Sequence, residues 1–289
     1  MNTLISKARD YFSLVKFSHT VFALPFAIIG FTLGITSQEH HFSLKILLLI
    51  LLCMVFARNA AMGFNRYADR IIDAMNPRTA GREIPSGRIN KKAAAAFVAV
   101  NAALFIITTG FINRLTLILS PVALAVILGY SLTKRITWLC HFILGLGLSL
   151  APIGAYISVT GRFDLVPLIF SFIVITWVSG FDILYALQDD EFDRENKLYS
   201  IPSHAGRKGA IIISALVHFL TFVLVISAGL VHPFGTIYWA GAGIFSLLLT
   251  YQHLIVKTDD ISRVNLAFAT TNGIGSILFA LFAVCDLVL

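Results

Sequence analysis

An all-α, polytopic membrane fold, with nine transmembrane helices around a central cavity, is predicted by three observations. Hydrophobic residues make up 57% of the 289 positions and charged ones 13%. The mean hydropathy is +0.84, well above what an ordinary soluble domain carries. Apolar runs of roughly 20 residues, the length that crosses a bilayer core, recur from Thr20 to the C-terminus with short polar breaks between them.

The elements follow in order. In residues 1–16, Leu4, Ile5, Ala8, Tyr11, Phe12 and Val15 share one helical face with Lys7, Arg9 and Lys16 elsewhere, the pattern of an interfacial amphipathic helix on the membrane surface. Spans are then expected at 19–36, 43–65, 93–112, 115–132, 137–159, 165–188, 209–230, 234–256 and 264–287. Asn113 and Arg114 divide the third from the fourth. The first span is long, starts well inside the chain and lacks a small-residue cleavage site, so it reads as a retained helix rather than a signal peptide. The whole of 1–289 reads as one membrane domain.

The net charge of +7 would suggest nucleic acid in a soluble protein. Here the cations sit in short loops, where membrane orientation explains them and no nucleic-acid partner is expected. Lys7, Arg9 and Lys16, the seven of the 66–92 connection, Lys134 and Arg135, the four between Arg194 and Lys208, and Lys257 with Arg263 all fall on one side. Lys45, Arg114 and Arg162 are left on the other. The N-terminus is therefore expected in the cytoplasm, as are the two longest connections, 66–92 and 189–208, which hold most of the acids. Cys53, Cys140 and Cys285 lie singly in apolar runs, as packing residues and not as a disulfide or zinc framework.

At the end of the second span, Arg58, Asn65, Asp69 and Asp73 are spaced by seven, four and four, which lines them along one helical stripe. Two carboxylates and an amide oxygen one turn apart can share a hard cation such as Mg²⁺. A solvated helix end with salt bridges to Arg66 and Arg70 is the alternative. The sixth span ends with a second set, Asp182, Tyr185, Asp189 and Asp193, spaced by three, four and four. Asp182 lies deepest, and an acid at the centre of a membrane helix costs about 2.5 to 3.5 kcal/mol unless it faces a polar cavity with a partner. Arg58 is the expected partner, as a structural ion pair or part of a site. Tyr130 and Lys134, one turn apart after the fourth span, mark either orientation or phosphate charge. Gly145, Gly147, Ala151 and Gly154 allow close helix packing or a groove for an apolar tail. His141 and His218 show no ligand spacing and are given no chemistry.

On these residues the sequence resembles the UbiA superfamily of intramembrane aromatic prenyltransferases, nearly over its whole length. Asn65, Asp69 and Asp73 match the first acidic motif of that superfamily. Asp182, Tyr185, Ala186, Asp189 and Asp193 match the second, Tyr130, Lys134 and Arg135 a Tyr-x-x-x-Lys-Arg element, and Arg82 to Gly87 an Arg-x-x-Pro-x-Gly loop. One departure is Arg66, where many members carry Asp.

The resemblance implies transfer of a polyprenyl group from its diphosphate to an aromatic acid in quinone biosynthesis, with diphosphate released and two Mg²⁺ ions bridging it. Asn65, Asp69 and Asp73 would hold one ion, Asp189 and Asp193 the other, with Asp190 as an auxiliary. Asp182, Asp189, Lys134 and Arg58 would form the catalytic set. Lys134 and Arg78 would neutralise phosphate, Arg58 would meet an acceptor carboxylate or Asp182, and Tyr130, Tyr185 and Gln188 would line the substrate. The partners implied are polyprenyl diphosphate, an aromatic acid acceptor (4-hydroxybenzoate, or alternatively a dihydroxynaphthoate) and the lipid bilayer. The place implied is the inner membrane of a prokaryote, with the site facing the cytoplasm. Outside this class, a cation transporter would use Arg58 and Asp182 as an ion path, but acids gathered at one face fit that poorly. Diphosphate hydrolysis, with water as acceptor, also fits the metal motifs.

Overall fold

The computed structural model describes residues 9–15, 22–37 and 41–289, with the backbone alone at Ala269. Leu4, Ile5, Lys7, Ala8 and Lys16 of the expected interfacial helix lie outside the described residues. Among the described residues there is no strand. The helices are α1 (Leu24–Ile35), α2 (Leu44–Ala68), α3 (Arg70–Met75), α4 (Lys91–Gly110), α5 (Arg114–Thr133), α6 (Cys140–Thr160), α7 (Leu165–Tyr185), α8 (Asp190–Glu195), α9 (Ile201–Val231), α10 (Thr236–Ile255) and α11 (Asn272–Val288). A helix falls on each of the nine segments where a span is expected. Seven helical stretches among the described residues are long and apolar enough to cross a membrane; α1, with 12 residues, and α10 are outside that set.

The chain divides into two compact units, Met1–Thr20 with Leu47–Leu132, and Val21–Ile46 with Thr133–Leu289. In the first unit, Asn90 opens α4 by accepting the Lys92 N–H at 2.8 Å, and Asn113 opens α5 by accepting that of Thr116 at 2.9 Å. Both satisfy helix-start donors that have no partner within the helix. Asn59 donates to Asn101 at 3.0 Å, tying α2 to α4. Residues 9–14 are helical. Their apolar side chains divide: Tyr11, Leu14 and Val15 pack with Ile84, Ile89 and Ala94, while Phe12 stays exposed.

The second unit holds the larger core, in which Phe22, just before α1, comes together with Phe26, Phe170, Trp177, Phe245 and Phe279 from α1, α7, α10 and α11. α7 is its most enclosed span. Two glycines set how closely helices approach it and one another. A Cβ at Gly30 would run into the Pro152 carbonyl oxygen of α6, and one at Gly145 would stand 2.6 Å from the Ile175 carbonyl oxygen of α7. At the opposite end, Asp286 accepts the N–H groups of Gly235 and Tyr238 at 2.7 and 3.1 Å, capping α10 from the last helix. Exposed Leu216, Phe219, Leu247 and Leu281 here, and Ile107, Ile118 and Val122 in the first unit, suit a lipid surround rather than water.

Candidate active site

In the first unit, the acid set stands where α2 gives way to α3. The helix is interrupted at Asp69 alone, whose N–H meets Asn65 O at 2.9 Å while its own carbonyl accepts the Asp73 N–H at 2.7 Å. Asn65 and Asp69 keep the expected one-turn spacing, with Asn65 Nδ2 meeting Asp69 Oδ2 at 3.2 Å, whereas Asp73 belongs to the next helix. Asp73, 4% exposed, is reached by Arg82 Nη1 at 2.6 Å on Oδ1, while its Oδ2 is buried and takes no hydrogen bond among the described residues. The 76–90 loop that delivers Arg82 is braced at several points. Thr79 Oγ1 donates to Asp73 O at 3.0 Å and Ile89 N–H to Glu83 O at 2.9 Å. Ser13 donates to Glu83 at 2.5 Å, and Arg88 pairs with Asp10 at 3.3 Å. Gly87 turns the loop at φ +77°, a conformation glycine adopts without strain. Tyr130 interacts electrostatically with half-buried Arg58 and buried Arg66. Arg78 is exposed, its backbone N–H on Asn76 Oδ1 at 2.9 Å.

In the second unit, the acid set is not one α-helical stripe. α7 ends at Tyr185, Ala186–Asp189 form a 3₁₀ turn, and α8 resumes at Asp190. A 3₁₀ turn advances by a third of a circle per residue, so Asp189 and Asp193 leave the face that carries Asp182 and Tyr185. Gln188 turns its amide back to Tyr185 O at 3.2 Å, and the Tyr185 ring lies 4.2 Å from that of Phe268. Asp193 is fully buried, with Lys134 Nζ 2.7 Å from its Oδ1. Burial pulls the Lys134 ammonium down, but Asp193 beside it more than compensates and holds its pKa above the ordinary lysine range. Lys134 follows the last residue of α5, so it does not continue the helical face of Tyr130. Its carbonyl instead accepts the Tyr199 N–H at 2.8 Å. Asp190, expected as an auxiliary ligand, is held by both Arg207 Nε and Nη2 at 2.8 and 3.0 Å and braces the loop.

Sequence reasoning missed His141. Its Nδ1 stands 2.7 Å from Asp182 Oδ2, so the deep acid is met by an imidazole within its own unit. The available signal was Cys140–His141 at the start of a span, close after Lys134; with no ligand spacing it carried no weight. His218, also given no chemistry, meets His253 at 2.8 Å and the Trp177 carbonyl at 3.2 Å inside the second unit.

Mg²⁺ takes oxygen ligands and keeps waters and phosphate oxygens among them. Among the described residues no three Asp, Glu, His or Cys side chains close on one point, so neither acid set is a protein cage. Each offers carboxylate oxygen beside a helix break. The unpartnered buried Asp73 Oδ2 is a carboxylate atom that a hard cation would satisfy. The residues fit the ion.

Seven helical stretches apolar enough to cross a membrane, and in each unit an acid set ending on an acid paired to a cation, define the class as an integral membrane protein with charged sites at its helix ends. The profile of the UbiA prenyltransferase family matches residues 23–280, and the chain belongs to that family: it is a prenyltransferase. It is similar to the 4-hydroxybenzoate octaprenyltransferase of Aliivibrio fischeri strain MJ11, 30% identical over 237 residues that cover 81% of each chain. It is likewise similar to that of Serratia proteamaculans strain 568, 31% identical over 82% of this chain and 81% of that one. The apo structure of a UbiA homolog from Aeropyrum pernix K1 superposes with a TM-score of 0.79 at 29% identity, covering 93% of this chain and 96% of that one. A UbiA homolog from Archaeoglobus fulgidus bound to GPP and Mg²⁺ shares the fold, with a TM-score of 0.71 at 21% identity over 97% of this chain and all of that one.

Proposed function

We propose that this chain transfers a polyprenyl group from polyprenyl diphosphate to an aromatic acid, with 4-hydroxybenzoate the first candidate, and releases diphosphate in an Mg²⁺-dependent reaction. The observation that carries the reading is the pairing at the end of each acid set: Asp73 with Arg82 and Asp193 with Lys134. Each set brings acid for a metal and a cation for a phosphate to the same spot. The two relatives named for 4-hydroxybenzoate support the acceptor over a dihydroxynaphthoate, and their transferase chemistry leaves cation transport without support.

Asn65, Asp69 and Asp73 would hold one Mg²⁺ and Asp189 and Asp193 a second, and the bound ions would neutralise charge gathering on the leaving diphosphate. Lys134, Arg82 and exposed Arg78 add positive charge for the diphosphate oxygens. Tyr130 and Tyr185 present aromatic faces that stabilise allylic cation character, and Arg58 takes the acceptor carboxylate. Asp182 receives the proton that the aromatic ring loses. The isoprenoid tail stays among apolar helices, which keeps the reactive carbon away from water. We read 1–289 as one domain with nine spans, an N-terminus and active site facing the cytoplasm, and a place in a prokaryotic inner membrane. The crowding of Lys and Arg into one set of loops supports that orientation.

The test uses purified protein with Mg²⁺, geranyl diphosphate and a panel of aromatic acids, read by mass spectrometry. Prenylated 4-hydroxybenzoate, lost on chelation, is expected. Diphosphate release with no prenylated acceptor would replace the reading with hydrolysis.

A further inference from the structure

Asp182 sits near the end of α7 and meets the imidazole of His141. The backbone N–H of Ile201 points at His141 Nε2 from 3.2 Å, and Nδ1 of the same ring is 2.7 Å from Asp182 Oδ2. An N–H aimed at a ring nitrogen requires a lone pair there, so Nε2 is bare and Nδ1 carries the hydrogen. The ring therefore donates to Asp182. Ile201 is the first residue of α9, and the opening N–H groups of a helix have no partner inside it. One of them is spent on His141, and the positive end of the helix polarises the imidazole toward the carboxylate.

The rest of the surroundings fix the ring and leave part of the acid open. Ser179 Oγ donates to His141 O at 3.2 Å, and Gly145 lets α6 come against the Ile175 carbonyl of α7. The His141 side chain is 3% exposed, too enclosed to touch a substrate, whereas that of Asp182 is 22% exposed. Among the described residues Asp182 Oδ1 accepts no hydrogen bond. Oδ1 is not enclosed, so it is the oxygen of the pair that a bound substrate can reach.

We propose that His141 is a positioning residue: it holds Asp182 Oδ2 so that Oδ1 is turned to take the proton from the aromatic acceptor. The inference rests on the aromatic-acceptor reading above and deepens it. The π electrons of the acceptor ring form the new C–C bond to C1 of the prenyl group. The C1–O bond breaks with its electron pair leaving on diphosphate, and the proton on the attacked ring carbon passes to Asp182 Oδ1.

The experiment compares His141→Leu, His141→Asn and His141→Gln in the full-length protein in nanodiscs, with Mg²⁺, geranyl diphosphate and 4-hydroxybenzoate. Leu is expected to lower kcat by roughly 10- to 100-fold while KM for geranyl diphosphate stays within about twofold. Asn, whose Nδ2–H replaces Nδ1–H, recovers most of kcat; Gln, which reaches toward Ile201 instead, does not. If Leu fails to fold, the Asn and Gln pair decides alone. Wild-type kcat in a folded His141→Leu, or Gln performing as well as Asn, overturns the role. A ¹⁵N-histidine spectrum of the wild type without substrate should show one ring, lost in His141→Asn, with hydrogen on Nδ1 and none on Nε2. A ring protonated at Nε2 overturns the positioning role whatever the turnover. Wild type that prenylates no acceptor overturns the acceptor reading, and the spectrum still decides on His141.

Discussion

The two acid sets solve the same problem with different local structure. In the first, the helix is interrupted at the single residue Asp69, which closes one helix on Asn65 O and opens the next by accepting the Asp73 N–H, and the cation for Asp73 arrives from Arg82, nine residues further on. In the second, the helix breaks into a 3₁₀ turn before α8, and the cation for Asp193 comes from Lys134, which precedes the whole of α6 and α7. The first set is thus assembled by its own loop and the second by tertiary packing. Damage to packing should reach the second more readily.

The largest expected effects should not distinguish the sets. Asp69→Ala and Asp189→Ala are each expected to lower turnover by about 10³-fold or more, as loss of a metal-binding charge at a developing anion does. Both proteins should elute from size exclusion as the wild type does. Turnover retained in one variant alone would show that the two sets are not equivalent partners.

Next come the cations. Arg82→Met and Lys134→Met each leave a buried carboxylate without its counter-charge, which costs about 3 to 5 kcal/mol when both partners are enclosed. The side chains of Arg82 and Lys134 are 25% and 36% exposed, so about 3 kcal/mol is expected, somewhat less at Lys134. Denaturant titration in detergent measures it. Adding Asp73→Asn to the first variant, or Asp193→Asn to the second, should restore much of the loss; absence of recovery would show that the pairs are incidental.

The Lys134 pair also sets a pH window. Its pKa in the folded protein is raised, with burial opposing and Asp193 prevailing. Stability from such a group is fully present below the unfolded lysine value, about 10.4, and is lost as pH climbs through the higher folded value. The gap between wild type and Lys134→Met should therefore stay constant from about pH 7 to 9 and close only above the ordinary lysine range. A gap that closes near neutrality would mean that Lys134 is not held by Asp193.

The same contrast explains what could be read in advance. The helix positions were legible because lipid demands long apolar runs, and polar groups such as Asn113 and Asp164 cap the helices where those runs stop. The contact between Asn65 and Asp69 was legible because it needs only helical periodicity. The break at 186–189 was not, since Ala-Leu-Gln-Asp holds neither glycine nor proline and suits an α-helix. The partners of Asp193 and Asp182 were not legible either. Lys134 and His141 reach them from 59 and 41 residues away, and no spacing rule connects such positions. Arg82 was visible as a motif residue, but not as the group that closes on Asp73.

The smallest effects test the dependence on packing directly, through the glycine behind each acid set. At Gly145 an added Cβ would meet the Ile175 carbonyl oxygen at 2.6 Å and Ser179 Oγ at 2.8 Å, one of them backbone that cannot turn aside. At Gly63, behind the first set, the nearest atoms are Val98 Cγ2 at 3.0 Å and the Phe97 ring at 3.2 Å, side chains able to give by a few tenths of an ångström. Forcing atoms into a packed contact costs about 1 to 3 kcal/mol. Gly145→Ala should fall in that range, and Gly63→Ala near or below its lower end. Moving α6 off α7 also draws His141 from Asp182, so Gly145→Ala should lower kcat beyond what its stability loss explains at a temperature where the protein stays folded. Gly63→Ala should not, because the Asn65–Asp69 contact lies within one helix. Equal losses of kcat in the two variants would mean that the second set depends on packing no more than the first.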